Sequence, residues 1–374
     1  MIALALALAV GCEPLRNPVE PARVLFSTDE TLYECALQEA GDFDCDAVFY
    51  KEERWGGQPL RALDLDGDGG QEVLNEQWIC DVVEGEWRCE QYIDVTDTNM
   101  RAVVDYDGDG DDEFLLPHQA APLEVCWSDS GALSCGSTGV EVSLTTNATA
   151  ADFNADGALD LLVGVRDYTY ETASQICLGD DSGGFVCEQW MDSEISTRSI
   201  VHELSPGDFD GDGDVDLLVS WAPDRNGPPE ICLNDGDGSF DCSLFVTVGA
   251  IYNGAILDVS PTSVEVHDLN SDGALDFAAA SLVGPLVCWG DGTGGFNCER
   301  IAPFDDESDI ATIGEPAAPD IGVGDYDGDG DLDLISPLND GEVEAIACTN
   351  TDGAFECVPI EGLFDVNAGV IAAP

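Results

Sequence analysis

Residues 208–216 read DFDGDGDVD, and this acidic nonapeptide recurs five more times with small variations. The other copies are DLDGDGGQE at 64–72, DYDGDGDDE at 105–113, DFNADGALD at 152–160, DLNSDGALD at 268–276 and DYDGDGDLD at 325–333. Self-similarity of this kind indicates a repeat architecture. Carboxylates at positions 1, 3, 5 and 9, with a glycine at position 6 for the turn, can wrap oxygen ligands around one hard cation. The pattern therefore predicts a calcium site in each copy.

The candidate metal ligands are the residues at positions 1, 3, 5, 7 and 9, of which position 7 contributes its backbone carbonyl. They are Asp64, Asp66, Asp68, Gly70 and Glu72; Asp105, Asp107, Asp109, Asp111 and Glu113; Asp152, Asn154, Asp156, Ala158 and Asp160; Asp208, Asp210, Asp212, Asp214 and Asp216; Asp268, Asn270, Asp272, Ala274 and Asp276; and Asp325, Asp327, Asp329, Asp331 and Asp333. An EF-hand opens with the same spacing, but all six copies lack its glutamate at position 12. We expect about six Ca²⁺ ions per chain, one for each loop.

A second repeated element contains the cysteines, of which the chain has 15. Apart from Cys12 they form seven close pairs: Cys35 and Cys45, Cys80 and Cys89, Cys126 and Cys135, Cys177 and Cys187, Cys232 and Cys242, Cys288 and Cys298, and Cys348 and Cys357. Each second cysteine follows a Gly-x-(Phe/Trp/Leu)-x segment, which is typical of a β-hairpin. Zinc sites would favour CxxC spacings and histidines, and the chain has only 3 histidines. The pairs therefore predict seven local disulfides, formed in an oxidising compartment.

Short apolar runs lie before and after each acidic loop, so one unit reads strand A, acidic loop, strand B, variable loop, strand C, glycine turn, strand D. Four antiparallel strands repeated in this way are typical of a β-propeller blade. Residues 23–374 resemble the FG-GAP/VCBS repeat family, which includes the integrin α-subunit head and a fungal lectin. The resemblance implies about seven blades, with a calcium-binding loop between strands A and B.

Six acidic loops but seven cysteine hairpins predict how the ring closes. The first hairpin has no acidic loop before it, while residues 22–27 resemble a strand B and residues 368–373 resemble a strand A. We therefore predict an all-β, seven-bladed propeller of four-stranded blades. Its last blade would combine N-terminal strands B, C and D with a C-terminal strand A, which removes an exposed sheet edge.

The N-terminal residues predict export. Residues 1–11 form an apolar run of signal-peptide length, residues 12–22 a proline-rich tether, and residues 23–374 the propeller. The sequence around Cys12 is similar to a lipobox, in which the cysteine is lipidated. An ordinary secretory signal is the alternative, since a basic n-region and the usual leucine are absent. We expect a lipoprotein anchored at a bacterial cell surface or in the periplasm, and otherwise a secreted protein, with no membrane contact beyond the lipid.

Charge and loop lengths bear on function. With 11 Lys+Arg against 77 Asp+Glu, the net charge of −66 excludes a nucleic-acid partner.

The connections that vary in length lie on the face opposite the acidic loops, where binding loops are expected. Aromatic residues there could stack on a ligand, although buried packing is the alternative for each: Tyr168, Tyr170, Trp190, Trp221 and Tyr252.

Catalysis has little support in the sequence, because the histidines are scattered and neither GxSxG nor HExxH occurs. We therefore expect a monomeric, non-catalytic binding or adhesion scaffold for an extracellular glycan or protein. The alternative is a polysaccharide-active hydrolase or lyase, or its propeller appendage. That alternative would require a cluster of acid, base or arginine side chains in the central channel or in the upper loops.

Overall fold

The chain folds as an all-β propeller in a computed structural model. The structure describes residues 23–28, 30–38, 43–50, 60–75, 78–92, 102–117, 122–129, 132–141, 145–165, 174–180, 183–190, 201–221, 229–244, 250–252, 255–257, 261, 263–281, 284–301, 320–338, 345–360, 363, 366 and 368–372. Seven antiparallel sheets of four strands form its blades. The signal segment, the tether, Cys12, Tyr168 and Tyr170 lie outside the described residues.

Blades 1 to 4 come first along the chain. Blade 1 contains β1 (Arg23–Ser27), β2 (Thr31–Leu37), β3 (Phe43–Tyr50) and β30 (Ala368–Ala372). Blade 2 contains β4 (Arg61–Leu63), β5 (Glu72–Leu74), β6 (Trp78–Val83) and β7 (Glu86–Gln91). Blade 3 contains β8 (Val103–Val104), β9 (Glu113–Leu116), β10 (Glu124–Asp129) and β11 (Ala132–Ser137). Blade 4 contains β12 (Thr145–Ala151), β13 (Asp160–Val165), β14 (Gln175–Gly179) and β15 (Phe185–Gln189).

The remaining blades follow the same order of strands A, B, C and D. Blade 5 contains β16 (Val201–Gly207), β17 (Asp216–Trp221), β18 (Glu230–Asn234) and β19 (Phe240–Leu244). A separate hairpin of β20 (Ala250–Tyr252) and β21 (Ala255–Leu257) then precedes blade 6. Blade 6 contains β22 (Ser263–His267), β23 (Asp276–Ala280), β24 (Leu286–Gly290) and β25 (Phe296–Arg300). Blade 7 contains β26 (Gly322–Gly324), β27 (Asp333–Pro337), β28 (Ala345–Thr351) and β29 (Ala354–Pro359).

The ring closes in blade 1 as the sequence predicts. Strand β30 from the C-terminus pairs with β1 in an antiparallel register that runs from Arg23 opposite Ala372 to Ser27 opposite Ala368. The sheet order is β3-β2-β1-β30, so the N-terminus supplies strands B, C and D and the C-terminus supplies strand A. The two ends of the described chain therefore hold each other in one sheet, and no open edge separates the first blade from the last.

Burial follows from the position of each strand within its blade. The B strands β13, β17, β23 and β27 are buried along their whole length because both faces pack against neighbouring blades. Their sequences are accordingly continuous apolar runs rather than alternating ones. The outer strands, such as β25 and β7, alternate between half-buried and exposed side chains. Strands β8, β12, β16 and β22 contact in turn, as do β26, β30 and β4, and the A strands form the innermost ring.

All seven predicted disulfides are present, and each joins strands C and D of one blade. Paired cysteines lie directly opposite each other in the register, as Cys232 does with Cys242. Their Cα atoms are 3.8–4.1 Å apart, which is below the usual range for disulfides of about 4.4–6.8 Å. The close approach follows from this direct cross-strand pairing. Each bond therefore staples the outer half of its blade.

The hairpin of β20 and β21 is an element that the sequence analysis did not predict. It lies in the connection between blades 5 and 6 and contains Tyr252, for which the sequence predicts a loop. No helix within the described residues has the length and apolar character that a membrane crossing requires.

Candidate metal loops, inter-blade cavity and central channel

Each acidic loop joins strands A and B and turns through left-handed backbone at positions 4 and 6. Position 6 is always glycine, with φ between 88° and 101°, as in Gly157 and Gly330. Position 4 is glycine in four loops, but it is Ala155 (φ 54°) and Ser271 (φ 59°) in the other two. Left-handed backbone brings a Cβ close to the following carbonyl, so these two residues are strained where glycine would not be.

This strain gives a first prediction. We expect Ala155→Gly to raise the free energy of unfolding by about 0.5–1 kcal/mol, because relief of the left-handed strain exceeds the entropy that glycine adds to the unfolded chain. Urea unfolding in the presence of a chelator measures the change without a contribution from bound ions. The matched control is Ala158→Gly in the same loop, where φ is not positive. That control should be destabilising, and a gain of the same size in both variants would contradict the explanation.

Backbone hydrogen bonds hold the carboxylates over the loop. In the loop at 208–216, Asp208 accepts N–H groups from Gly211 at 2.8 Å and from Gly213 at 3.1 Å. Asp212 accepts the N–H of Asp214 at 2.9 Å. The same bonds recur at 325–333, where Asp325 accepts from Gly328 and Gly330. The loop backbone thus fixes the direction of its acidic side chains.

Four loops bring three carboxylates together, with one oxygen from each within 4.8 Å of the others. The clusters are Asp64, Asp66 and Asp68; Asp105, Asp107 and Glu113; Asp208, Asp210 and Asp216; and Asp325, Asp327 and Asp333. The loops at 152–160 and 268–276 have asparagine at position 3, so they do not assemble three acidic groups in this way. In the former, Asn154 instead bonds to Asp156. All-oxygen clusters of this kind fit a hard divalent cation such as Ca²⁺.

The position-9 carboxylate has a second role that the sequence analysis missed. Asp216 accepts the N–H of Phe209 at 2.9 Å and that of Asn234 at 2.8 Å, so it ties the loop to strand C. Asp160, Asp276 and Asp333 make the equivalent pairs of bonds. The glutamates Glu72 and Glu113 each accept the loop N–H, from Leu65 and Tyr106. The sequence contains a signal for this structural role, because position 9 is the one acidic loop position at which a buried strand begins.

Burial affects the protonation of these carboxyls. It raises the pKa of Asp333 to about 7, against the opposing hydrogen bond from the backbone of Asn350. It likewise raises the pKa of Glu72 to about 7. The pKa of Asp216 is also raised, with burial as the main cause. A bound divalent ion would favour the ionised form of each group, so metal binding and proton release are linked at this position.

The double role of position 9 gives a second prediction. We expect Asp216→Ala to lower the free energy of unfolding by about 2–6 kcal/mol even in a chelator, because two buried N–H groups lose their acceptor. Asp212→Ala, an exposed loop position, is the control and should change stability much less under the same conditions. Chemical denaturation of both variants measures the difference. Equal effects in the chelator would mean that the two hydrogen bonds that Asp216 accepts do not stabilise the ion-free fold.

Neighbouring blades are joined at the carbonyl of loop position 2. Asn234 of blade 5 donates its Nδ2–H to the carbonyl of Phe153 at 2.7 Å, and Asn350 of blade 7 does the same to Leu269 at 2.7 Å. Between blades 5 and 6, the N–H of Gly294 donates to the carbonyl of Phe209 at 3.0 Å. The glycine turns of one blade thus cap the acidic loop of the preceding blade.

Blades 2 and 3 lack that side-chain clamp, and a cavity of about 450 Å³ that opens to solvent lies between them. Ser128 occupies the position two residues after the first cysteine, where blades 5 and 7 have Asn234 and Asn350. Its side chain is too short to make the same bond. The cavity is lined by Leu65, Asp66, Glu72, Ile79, Asp81, Val83, Arg88, Cys89, Glu90, Ser128 and Leu133. It therefore combines an apolar wall with carboxylates of the first acidic loop and one guanidinium.

A polar cluster occupies the central channel, where the A strands meet. Arg61 of β4 reaches across to Glu203 of β16, Glu265 of β22 and Asp320, which directly precedes β26. The nitrogen–oxygen distances are 4.0, 3.9 and 3.9 Å. Burial raises the pKa of Glu203 to about 8 and that of Asp320 to about 6, against the attraction of Arg61. This cluster could not be predicted from the sequence, because its members come from four different blades.

The described aromatic candidates pack inside the protein. Trp221 is 2% exposed and shares an apolar cluster with Trp190, whose ring lies 5.9 Å from that of Phe240 in an edge-to-face arrangement. This packing is the alternative that the sequence left open for both tryptophans. Trp289 stacks on Phe355 of the next blade at 6.1 Å. Tyr252 lies in β20, and its side chain is outside the described part of the structure.

Comparisons with known proteins agree with this geometry. The FG-GAP-like repeat family model matches residues 208–279 and 268–336. Residues 208–336 consist of FG-GAP-like repeats. They contain three of the six acidic loops, and the same loop pattern continues the repeats toward the N-terminus. The predicted resemblance to this family is therefore confirmed.

No curated protein matches the chain in sequence. Several solved structures, however, have a similar fold. A lectin from Agrocybe aegerita, solved for its recognition of non-reducing terminal N-acetylglucosamine, has a TM-score of 0.60 at 15% identity. The alignment covers 92% of this chain and 90% of the lectin. At this identity the match shows the shared fold alone.

Two further structures are less similar. One is the extracellular domain of a one-component system from B. thetaiotaomicron, with 15% identity, a TM-score of 0.46 and coverage of 90% of this chain and 40% of that chain. The other is named as an exo-β-1,3-galactanase from Bifidobacterium bifidum, with 11% identity, a TM-score of 0.43 and coverage of 74% and 95%. Neither carries an argument about function.

Proposed function

We propose that this chain is an exported, calcium-stabilised FG-GAP-like propeller that binds an extracellular glycan or protein ligand without catalysing a reaction. The observation that carries the proposal is the cavity between blades 2 and 3. Ligand sites are typically concave, mostly apolar and about 300–1,000 Å³ in volume, with a few convergent polar groups. This cavity has that size, an apolar wall and five ionisable side chains.

The chemistry of the cavity suits a polyhydroxylated ligand best. Leu65, Ile79 and Leu133 offer an apolar surface for the C–H face of a sugar ring. Arg88 can donate hydrogen bonds to a ligand and Asp81 can accept them, and the two residues lie opposite each other in the β6–β7 register. Asp66 belongs to both the cavity wall and the acidic loop, so an ion in that loop would lie beside the ligand. A glycan is therefore the ligand class that we favour.

Calcium would be held by the residues at positions 1, 3, 5 and 9 and by the carbonyl of position 7. The ion supplies positive charge that offsets the repulsion among the carboxylates. The chain itself fixes those carboxylates through the loop N–H groups and ties position 9 to strand C. Rigid loops on one face of the ring would then present the cavity in a constant shape.

Export and anchoring complete the proposal. Seven disulfides are typical of proteins in an oxidising compartment. We propose that residues 1–11 are a signal peptide and that lipidated Cys12, followed by the tether to residue 22, anchors the propeller as a monomer. We also propose a second ligand-binding surface on the face opposite the acidic loops, which includes Tyr168 and Tyr170.

A glycan array, run with calcium and with chelator, tests the binding function. We expect retention of a defined set of glycans by the wild type in calcium. Ser128→Asn should weaken that binding at least tenfold, because the longer side chain can close the cavity with the clamp seen at Asn234 and Asn350. Ser243→Asn, on the exposed strand β19, is the control and should bind as the wild type does.

Two outcomes would count against the proposal. If no glycan is retained under either condition, the glycan form of the proposal is wrong, and a protein ligand becomes the alternative to test. If Ser128→Asn binds as strongly as the wild type, the ligand does not occupy the cavity between blades 2 and 3.

The second candidate function is a polysaccharide-active hydrolase or lyase, and the channel cluster favours it. Arg61, Glu203, Glu265 and Asp320 are the clustered acid and arginine groups that such an enzyme would require in the channel. The test is incubation with a panel of polysaccharides, followed by assays for reducing ends and for unsaturated products. Activity that is lost in Glu203→Gln would replace the binding scaffold with the enzyme as the function.

A further inference from the structure

The side chains that line the cavity between blades 2 and 3 carry an excess of negative charge. Four of them are carboxylates and one is a guanidinium, so the formal charge is −3 when all the acids are ionised. The acids are Asp66, Glu72, Asp81 and Glu90, and the base is Arg88. A divalent ion in the first acidic loop would offset Asp66 and Glu72, but Asp81 and Glu90 lie outside that loop, on β6 and β7. The cavity is therefore anionic whether or not the loop holds an ion.

Asp81 is a carboxylate of the cavity wall that has no cationic partner. Arg88 lies directly opposite it in the β6–β7 register, yet no ion pair joins the two. Nη2 of Arg88 lies instead 4.0 Å from Oε2 of Glu84, and the Arg88 side chain is 63% exposed. Among the described residues, none donates a hydrogen bond to the Asp81 carboxylate. This half-buried anion is therefore available to a ligand.

The strand around Asp81 places the anion beside an apolar surface. Because side chains alternate along a strand, Ile79, Asp81 and Val83 share one face of β6, and all three line the cavity. Leu133 lines it from blade 3. Apolar surroundings strengthen the attraction between an anion and a cation, because the local dielectric constant is lower than that of water. A ligand that fits this wall therefore combines an apolar ring face with a positive charge.

The carboxylates of the cavity already repel one another. Burial is the main cause that raises the pKa of Glu72 to about 7, and repulsion from Asp66 and Asp81 adds to it. Burial likewise raises the pKa of Asp66, with Asp68 and Asp81 as further causes. A ligand with a carboxylate of its own, such as a uronic acid, would increase this repulsion, whereas an ammonium group would relieve it.

We infer that the ligand of this cavity is an amino sugar with a free ammonium group, which deepens the proposed glycan-binding function and rests on it. The ammonium group pairs with the carboxylate of Asp81, and the C–H face of the sugar ring lies on Ile79 and Val83. N-acetylated sugars lack the charge that this contact requires, and uronic acids carry the opposite charge. The charge of the cavity thus selects among sugars of similar shape.

Isothermal titration calorimetry with the β-1,4-linked glucosamine dimer and its di-N-acetylated counterpart tests the inference. The two dimers share one ring backbone and differ in the charge on the amino groups. The titrations are run in saturating calcium, which fills the acidic loops, and at a pH at which the amine is protonated. About 0.15 M NaCl screens the long-range attraction to the net charge of −66. We expect the wild type to bind the glucosamine dimer about tenfold more tightly, which is the effect of one hydrogen bond to a charged group. Equal binding, or a preference for the acetylated dimer, would overturn the inference.

Two controls locate the contact. Asp81→Asn should lose the preference for glucosamine, whereas Asp241→Asn, the same exchange at an exposed position of β19, should keep it. The diamine 1,4-diaminobutane carries the same charge as the glucosamine dimer without a sugar ring, and it should bind about tenfold more weakly. A preference that persists in Asp81→Asn, or equally tight binding of the diamine, would contradict the inference. If Asp81→Asn does not fold, the two dimers and the diamine still decide the question on the wild type.

Failure of the inference and failure of the proposed function give different results. If neither dimer binds but the glycan array retains another glycan, the inference is wrong and the glycan-binding function stands. If neither dimer binds and the array retains nothing, the inference and the glycan form of the proposed function are both wrong.

Discussion

Removal of calcium is expected to lower the Tm of this propeller by about 10–20 °C. Extracellular calcium modules bind with Kd on the order of 10⁻⁴–10⁻³ M. At about 10 mM free Ca²⁺ each site then stabilises the folded state by about 1.4–2.7 kcal/mol, or about 8–16 kcal/mol for six sites. For a chain of 374 residues, this range corresponds to the stated change in Tm.

The physical reason is repulsion within the loops. Each loop cluster, such as that of Asp208, Asp210 and Asp216, holds carboxylate oxygens within 4.8 Å of one another. The chain has only 11 Lys+Arg side chains that could offset this repulsion. Differential scanning calorimetry in calcium and in EGTA measures the effect. The control is NaCl at the same ionic strength as the calcium buffer. Salt alone screens the repulsion that comes from the net charge of −66, so this control separates screening from calcium binding. An identical Tm in EGTA and in calcium would contradict the expectation.

Reduction of the seven disulfides is expected to prevent refolding. Each bond closes a loop of 9 or 10 residues in sequence separation, for which the chain-entropy model gives about 2.7 kcal/mol, or about 19 kcal/mol for all seven. That sum exceeds the usual stability of a folded domain, about 5–15 kcal/mol. The measurement is refolding from urea with and without reductant, followed by circular dichroism and tryptophan fluorescence.

A single-bond variant provides the control for that experiment. Cys232→Ser/Cys242→Ser removes one staple from blade 5, should cost about 2–3 kcal/mol and should still fold. Reduction is best carried out on the unfolded chain, since the first cysteine of each pair is at most 4% exposed and protected from reductant in the native state. If the fully reduced chain recovered the native spectra, the disulfides would not be the main staples of the blades.

The architecture could be predicted because its signals repeat. The acidic loops and cysteine hairpins each mark one blade, and the excess of one hairpin over the loops located the closure at β1 and β30. Residues close in sequence determine both features. The glycine at position 6 adopts left-handed backbone and so forms a turn, and two cysteines can form a disulfide here only if their strands pair.

The channel cluster and the cavity could not be predicted because they depend on distant residues. Arg61 and Glu203 are separated by most of three blades, and no periodicity connects them. The cavity is lined by residues of two blades, including Ser128, whose position gains its meaning only when Asn234 and Asn350 are seen to clamp the neighbouring loops. The burial of Trp221 likewise depends on the packing between blades rather than on its neighbours in sequence.

The most direct test of the account is the number of calcium ions bound per chain, measured by equilibrium dialysis with elemental analysis. The account predicts about six ions in the loops. Asp208→Ala/Asp210→Ala should remove one ion while the seven disulfides stay intact. A wild-type chain that binds no calcium, or a variant that binds as much as the wild type, would contradict the claim that the acidic loops are metal sites.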